Sequence, residues 1–254
     1  NSLSKQKMQE RRVQALYFGS YGYYSPYYFD PYLLILVLPA FIFSVIASIR
    51  VRTVYSRMAK RFATNGLTGA QAAAEVLRYY GITNVQITSI PGKLTDHFNP
   101  KTNTIGLSES VYRGTSVADI GIACHEAGHA AQYAHSYLPI KLRNMILPIA
   151  NIGSFAGIPL ALIGFVLQWQ GLVTFGLMLY AAIAVFQFIT LPVEINASRR
   201  ALKVINETGI LVTPEERAGA RSVLFAAAMT YIAALAVSLA NLVRFIALFG
   251  RRNR

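Results

Sequence analysis

His125 and His129 stand four residues apart in a run, Val117 to Ala134, that contains no proline and reads as helix. Four residues at 3.6 per turn nearly complete one turn, so the two imidazoles point the same way and can grip one metal ion. Glu126 follows the first histidine, where it can sit beside a metal-bound water and take its proton. This His-Glu-x-x-His spacing is the zincin pattern, and it implies hydrolysis of a peptide bond by metal-activated water. A loose match also arises by chance on amphipathic helices. The setting weighs against chance. Ser116 and Asp119 match a capping box at the helix start. Ala127 and Gly128 are small enough for close packing beside a metal. Of the four histidines, His97, His125, His129 and His135, two fall in the motif.

A catalytic zinc normally takes three protein ligands and leaves a fourth position to water. His135 lies at the spacing metzincins use, but those proteins need glycine at the position of Gln132 to turn the chain. A continuing helix carries His135 roughly 240° around from His129, and no methionine turn follows. The competing candidate is Glu194, directly after Pro192-Val193 at the end of an apolar run. An acid beside hydrocarbon is costly and marks a functional position, although pairing with Arg199 or Arg200 would also satisfy it. Placement favours Glu194 over His135. Cys124, the only cysteine, is turned about 100° from His125 and reads as a small buried thiol rather than a ligand. It excludes an intramolecular disulfide and fits a reducing compartment.

The elements that position these groups are mostly membrane helices. Hydrophobic residues make up 54% of the chain, and four runs approach or exceed the about 20 residues that a span needs. They are 33–49, 146–167, 172–193 and 223–249. As buried helices of a soluble core they would leave too little polar chain to cover them. The fold class expected is mainly α: a four-span helical membrane protein with a small α+β zincin-like domain on its cytoplasmic side. Residues 1–32 form a basic tail and a tyrosine-rich interfacial segment, residues 50–145 the catalytic domain, and 194–222 a helical segment carrying the third ligand. Asn1 is no initiator methionine, so upstream processing or trimming is expected.

The net charge of +13 would suit nucleic acid, but the cations cluster at the ends of the spans. Arg50, Arg52 and Arg57 follow the first, Lys141 and Arg143 precede the second, and Arg199 to Arg221 separate the third from the fourth. The positive-inside rule then puts the His-Glu face in the cytoplasm or its organellar equivalent, and argues against a nucleic-acid partner.

Within 50–145, a basic amphipathic helix is expected to run on to Ala63. Thr68 and Gln71 open a second helix and Gly81 closes it. Val85–Ile90 and Thr102–Leu107 read as strands, with a polar loop, 92–100, between them. Glu194 to Thr208 reads as a helix continuing from the membrane and stopped by Gly209, and Thr213-Pro214-Glu215-Glu216 opens the last one.

His125-Glu-Ala-Gly-His-Ala-Ala-Gln132, taken with Leu191-Pro-Val-Glu-Ile-Asn-Ala-Ser-Arg-Arg-Ala-Leu202, closely resembles the YugP-like membrane zinc metallopeptidases of bacteria. Gly66-Leu-Thr-Gly69, Pro91-Gly-Lys-Leu-Thr-Asp-His97 and Gly114-Thr-Ser116 add to the match, which runs from about Tyr28 to the last span. The resemblance implies a multi-pass protein of the bacterial inner membrane with a gluzincin-like site binding Zn2+. It maps the family's glutamate motif onto Glu194 beside His125 and His129, with Glu126 as general base. Related gluzincins often carry aspartate four residues after that glutamate. Ser198 stands there, so the hydrogen bond to a ligand histidine is expected from Asn196 or Ser198.

His97 or Arg199 would supply an oxyanion donor, and the strand at Thr102–Leu107 would pair with an extended peptide or membrane-protein substrate. The alternative is a catalytically silent zinc-binding subunit or scaffold of a larger complex. Structural zinc normally wants four protein ligands, often cysteines, which one cysteine cannot supply. A channel is disfavoured because the spans carry little charge apart from Arg244.

Overall fold

The computed structural model describes residues 30–250. The expected basic tail and most of the tyrosine-rich segment, 1–29, lie outside the described residues. Helices dominate. A π-helical opening, Leu33–Val37, runs into α1 (Leu38–Met58), followed by α2 (Gly69–Tyr79). Then come strands β1 (Gln86–Ile90), β2 (His97–Asn99) and β3 (Thr104–Ser108), and the short α3 (Glu109–Arg113). Four longer helices complete the chain: α4 (Val117–Ala134), α5 (Leu138–Val166), α6 (Gln170–Thr208) and α7 (Pro214–Gly250).

Four of these rods are long and apolar enough to cross a bilayer: 33–58, α5, α6 and residues 214–249 of α7. Their outer faces carry large bare hydrocarbon side chains, Phe155 being 86% exposed. Such faces suit lipid, where a helix satisfies its own backbone hydrogen bonds. Each rod outruns its uncharged stretch: α5 begins at Leu138 rather than 146, and α6 continues to Thr208, where Gly209 ends it at φ 70°. A left-handed cap of that kind is open to glycine at no steric cost. The protein is thus mainly helical, with membrane-length helices and a small sheet.

α1 stops at Met58, short of the expected Ala63. Residues 61–63 leave the helix because their backbone pairs with the segment before α4: Ala63 N–H donates to the Thr115 carbonyl (2.9 Å) and Val117 N–H to that of Arg61 (2.8 Å). The sheet order is β1-β3-β2, with β1 parallel and β2 antiparallel to β3. Two expectations change here. The loop 92–100 contains a strand, β2. The strand expected to pair with substrate, β3, is the central one, and both of its edges are occupied.

α4 lies at the centre of the buried core. Ser116 caps it as expected, its hydroxyl accepting from Asp119 N–H (3.2 Å) while the Asp119 carboxylate takes the Ser116 hydroxyl (2.6 Å). The helix is buried nearly all round, as a helix central to a core must be. Its apolar residues join Val76, Ile105, Leu107, Val204 and Leu211 in one cluster.

Candidate metal centre

Two elements bring the site together. α4 carries His125, Glu126 and His129; α6, emerging from its uncharged stretch, carries Glu194 and Ser198. They can meet because Gly128 has no side chain: a Cβ there would lie 2.5 Å from the Ala197 carbonyl oxygen. Glycine is required here by backbone contact between the two helices.

His125, His129 and Glu194 each offer one ligand atom, and these atoms lie within 4.8 Å of one another. Among the described residues they form the one such group. Glu194 Oε2 sits 3.2 Å from His125 Nε2 and 3.5 Å from His129 Nε2. Its other oxygen, Oε1, faces Arg143 Nη1 from the start of α5 at 3.7 Å. The carboxylate therefore presents one oxygen to the histidines and the other to a cation.

The far nitrogens of both imidazoles are tied down. His125 Nδ1 lies 3.1 Å from the Ser198 hydroxyl, which places that contact on one of the two residues expected for it. His129 Nδ1 lies 3.0 Å from Gln132 Oε1. The amide's orientation follows from its other partner: Gln132 Nε2 donates to the Val193 carbonyl (2.7 Å), which can only accept. His129 Nδ1 is then the donor to Gln132, leaving Nε2 facing Glu194. Gln132 also donates to Asn196 Oδ1 (3.0 Å), which accepts in turn from Arg200 Nε (2.9 Å). Two nitrogens and one oxygen, converging and held from behind, suit Zn2+. Burial pushes the His129 pKa down, but the hydrogen bond to Glu194 and the charges of Glu126 and Glu194 outweigh it, and the net shift is upward.

A cavity of about 410 Å³ opens onto the cluster, with Glu126, Arg52, Asp96 and Tyr231 among its lining. Tyr231, from α7, lines the same cavity as Glu126 and Glu194. Other sequence candidates fall elsewhere. His135 caps α4, its Nδ1 against the Ala131 carbonyl (2.8 Å) and its ring against Tyr80. Neither His97 nor Arg199 lines the cavity. The His97 ring bonds the Thr95 carbonyl (2.8 Å), and Arg199 borders a separate groove with Arg217 and Arg221. Cys124 is fully buried in the core, which pushes its thiol pKa up. Gln132, Arg143 and Tyr231 also belong to the site, a role that the sequence did not assign to them. Only Arg143 had a readable signal, as the last charge before the long uncharged stretch.

Residues 33–250 match the family described as "Putative neutral zinc metallopeptidase", and the chain belongs to that family. It is also similar to a Bacillus subtilis (strain 168) protein named "Putative membrane protease YugP". The two are 41% identical over 203 residues, 80% of this chain and 90% of the relative. No solved structure matches.

Proposed function

From that family membership we propose that the protein is a zinc metallopeptidase, with His125, His129 and Glu194 as ligands and Glu126 as general base. The observation that carries the reading is the single Glu194 oxygen lying within 3.5 Å of both histidine Nε2 atoms, while both Nδ1 atoms are engaged behind them. His125, His129 and Glu194 would hold a zinc ion, which would supply the acidity that brings a water's pKa toward ~7 and the Lewis acid for the scissile carbonyl. Glu126 takes the proton from the attacking water and returns it to the leaving amine. Arg143 holds Glu194 by its outer oxygen and keeps the inner one facing the histidines. Tyr231, a neutral donor lining the cavity, replaces His97 and Arg199 as the group that hydrogen-bonds the oxyanion.

The cations at the polar ends of α1, α5, α6 and α7 support a cytoplasmic orientation for this face in a bacterial inner membrane. Glu126→Gln should keep zinc and lose turnover of peptide substrates by ~10²–10⁴-fold. Glu194→Ala should lower zinc content of the purified protein. Peptidase activity persisting in Glu126→Gln would remove the general-base assignment, and full zinc retention in Glu194→Ala would remove Glu194 from the ligand set.

A further inference from the structure

The depth of the site relative to the bilayer can be read from charge. Between Arg143 and Glu194 the chain has no Asp, Glu, Lys or Arg, although it runs the length of α5 and back along α6. The two residues that end this uncharged hairpin meet at its base, 3.7 Å apart. Charged side chains mark where a span leaves hydrocarbon. Glu194, a member of the candidate ligand group, therefore sits at the membrane surface itself.

The cavity has the same address. One wall is α7, which presents Val223, Leu224, Ala227, Ala228 and Tyr231, a stripe at helical spacing along one face. That wall lies within the stretch of α7, 222–243, that carries no charged residue. The end of α1 adds Val51 and Tyr55 to the lining. Both helices continue into the bilayer. Charge enters the lining only at Arg52, Asp96 and the Glu126–Glu194 end. The small side chains of Ala227 and Ala228 leave the space open, and its size falls in the range of pockets that enclose apolar groups. Soluble chains also carry apolar side chains, but the end of a transmembrane segment is rich in them and is already held at this depth.

We infer that the cavity receives a large apolar side chain of a membrane-anchored polypeptide, which is cut within a few residues of the point where its span leaves the bilayer. The inference rests on the peptidase reading and names its substrate class. The polar end of the cavity receives the scissile amide and the apolar walls receive the neighbouring side chain. A substrate held by its own span reaches the site without leaving the membrane surface.

The test uses the full chain, zinc-loaded, in phospholipid nanodiscs. The probes are single-span peptides in which the same cleavable segment, with either leucine or alanine at its centre, follows the span directly or after polar spacers of increasing length. Cut positions are mapped by mass spectrometry, and binding of uncut probe is measured on Glu126→Gln. Cuts should cluster beside the span, and the leucine probe should exceed the alanine probe by ~10-fold or more in kcat/KM and in affinity for the inactive variant. Ala228→Phe, and separately Ala227→Leu, should abolish that preference while zinc content is retained. Cuts that ignore distance from the span, or a leucine preference that survives both fillings, would overturn the inference while leaving a peptidase. No cleavage of any probe, or cleavage equal in Glu126→Gln, would sink the peptidase reading and this inference with it.

Discussion

Gly128→Ala adds one methyl between α4 and α6, and its consequences can be worked out from the packing. The new Cβ would lie 2.5 Å from the Ala197 carbonyl oxygen and 3.2–3.3 Å from that residue's carbonyl carbon and Cα, where ordinary contact begins near 3.4 Å. α4 is packed on nearly every side and cannot withdraw. α6 must therefore retreat by about 0.9 Å at Ala197. Ala197 lies between Glu194 and Ser198, so the retreat carries away both the carboxylate and the hydroxyl that contacts His125. Metal–ligand distances tolerate only about ±0.2 Å. Zinc affinity should fall by ~10–100-fold, the size of effect seen when a ligand loses its supporting hydrogen bond. Overpacking should also cost about 1–3 kcal/mol of stability. Gly121→Ala is the control on the same helix, because its methyl would meet Ala220 no closer than 3.6 Å. That variant should bind zinc normally and be as stable as the parent or more so, since alanine favours helix over glycine. Chelator-competition titration and thermal unfolding in detergent measure both quantities. Equal zinc affinity in the two variants would refute the claim that close helix contact at Gly128 positions Glu194.

Gln132→Leu keeps the side chain's bulk but removes the partner of His129 Nδ1 and the side-chain donor to the Val193 carbonyl; zinc affinity should drop by ~10–100-fold. His135→Ala, at the end of the same helix, should leave zinc affinity within about twofold of the parent, the coupling of distant sites being small; the opposite pattern would exchange their roles. Tyr231→Phe should lower kcat by ~10²–10³-fold with zinc content and KM little changed, and an unchanged kcat would withdraw it from the oxyanion. His129 is held above its ordinary 6.5, so its proton would return at a higher pH than an isolated imidazole's and compete with a bound metal. Zinc affinity measured at pH 8, 7 and 6 should therefore fall toward acid, by roughly tenfold per unit for each proton displaced; a flat profile would contradict the proton–metal competition.

Local features of this chain were legible because they depend on neighbours in sequence. The Ser116 cap, the stop at Gly209, the start at Pro214 and the four apolar rods each follow from a few adjacent residues. Features made by distant segments were harder to read. Residues 61–63 look like more helix until Thr115 and Val117 supply backbone partners. His97–Asn99 is too short and polar to announce a strand, and becomes one by pairing with β3. Gln132 drew notice for failing to be glycine, when its amide spans three partners on two helices.

Proximity of His125 and His129 to Glu194 is a different case, because local and distant constraints agree there. Four-residue spacing on α4 aligns the histidines, and the uncharged hairpin must end at a polar residue on each side. Arg143 and Glu194 are those ends, and a cation and an acid brought together at the edge of hydrocarbon stabilise each other where either alone would be costly. The hairpin that anchors the protein in the membrane thus also delivers the carboxylate to the histidines. Lengthening α6 by one residue before Glu194 would turn the carboxylate about 100° off that line, which is why the register of the apolar hairpin and the meeting of Glu194 with the two histidines have to be set by the same helix.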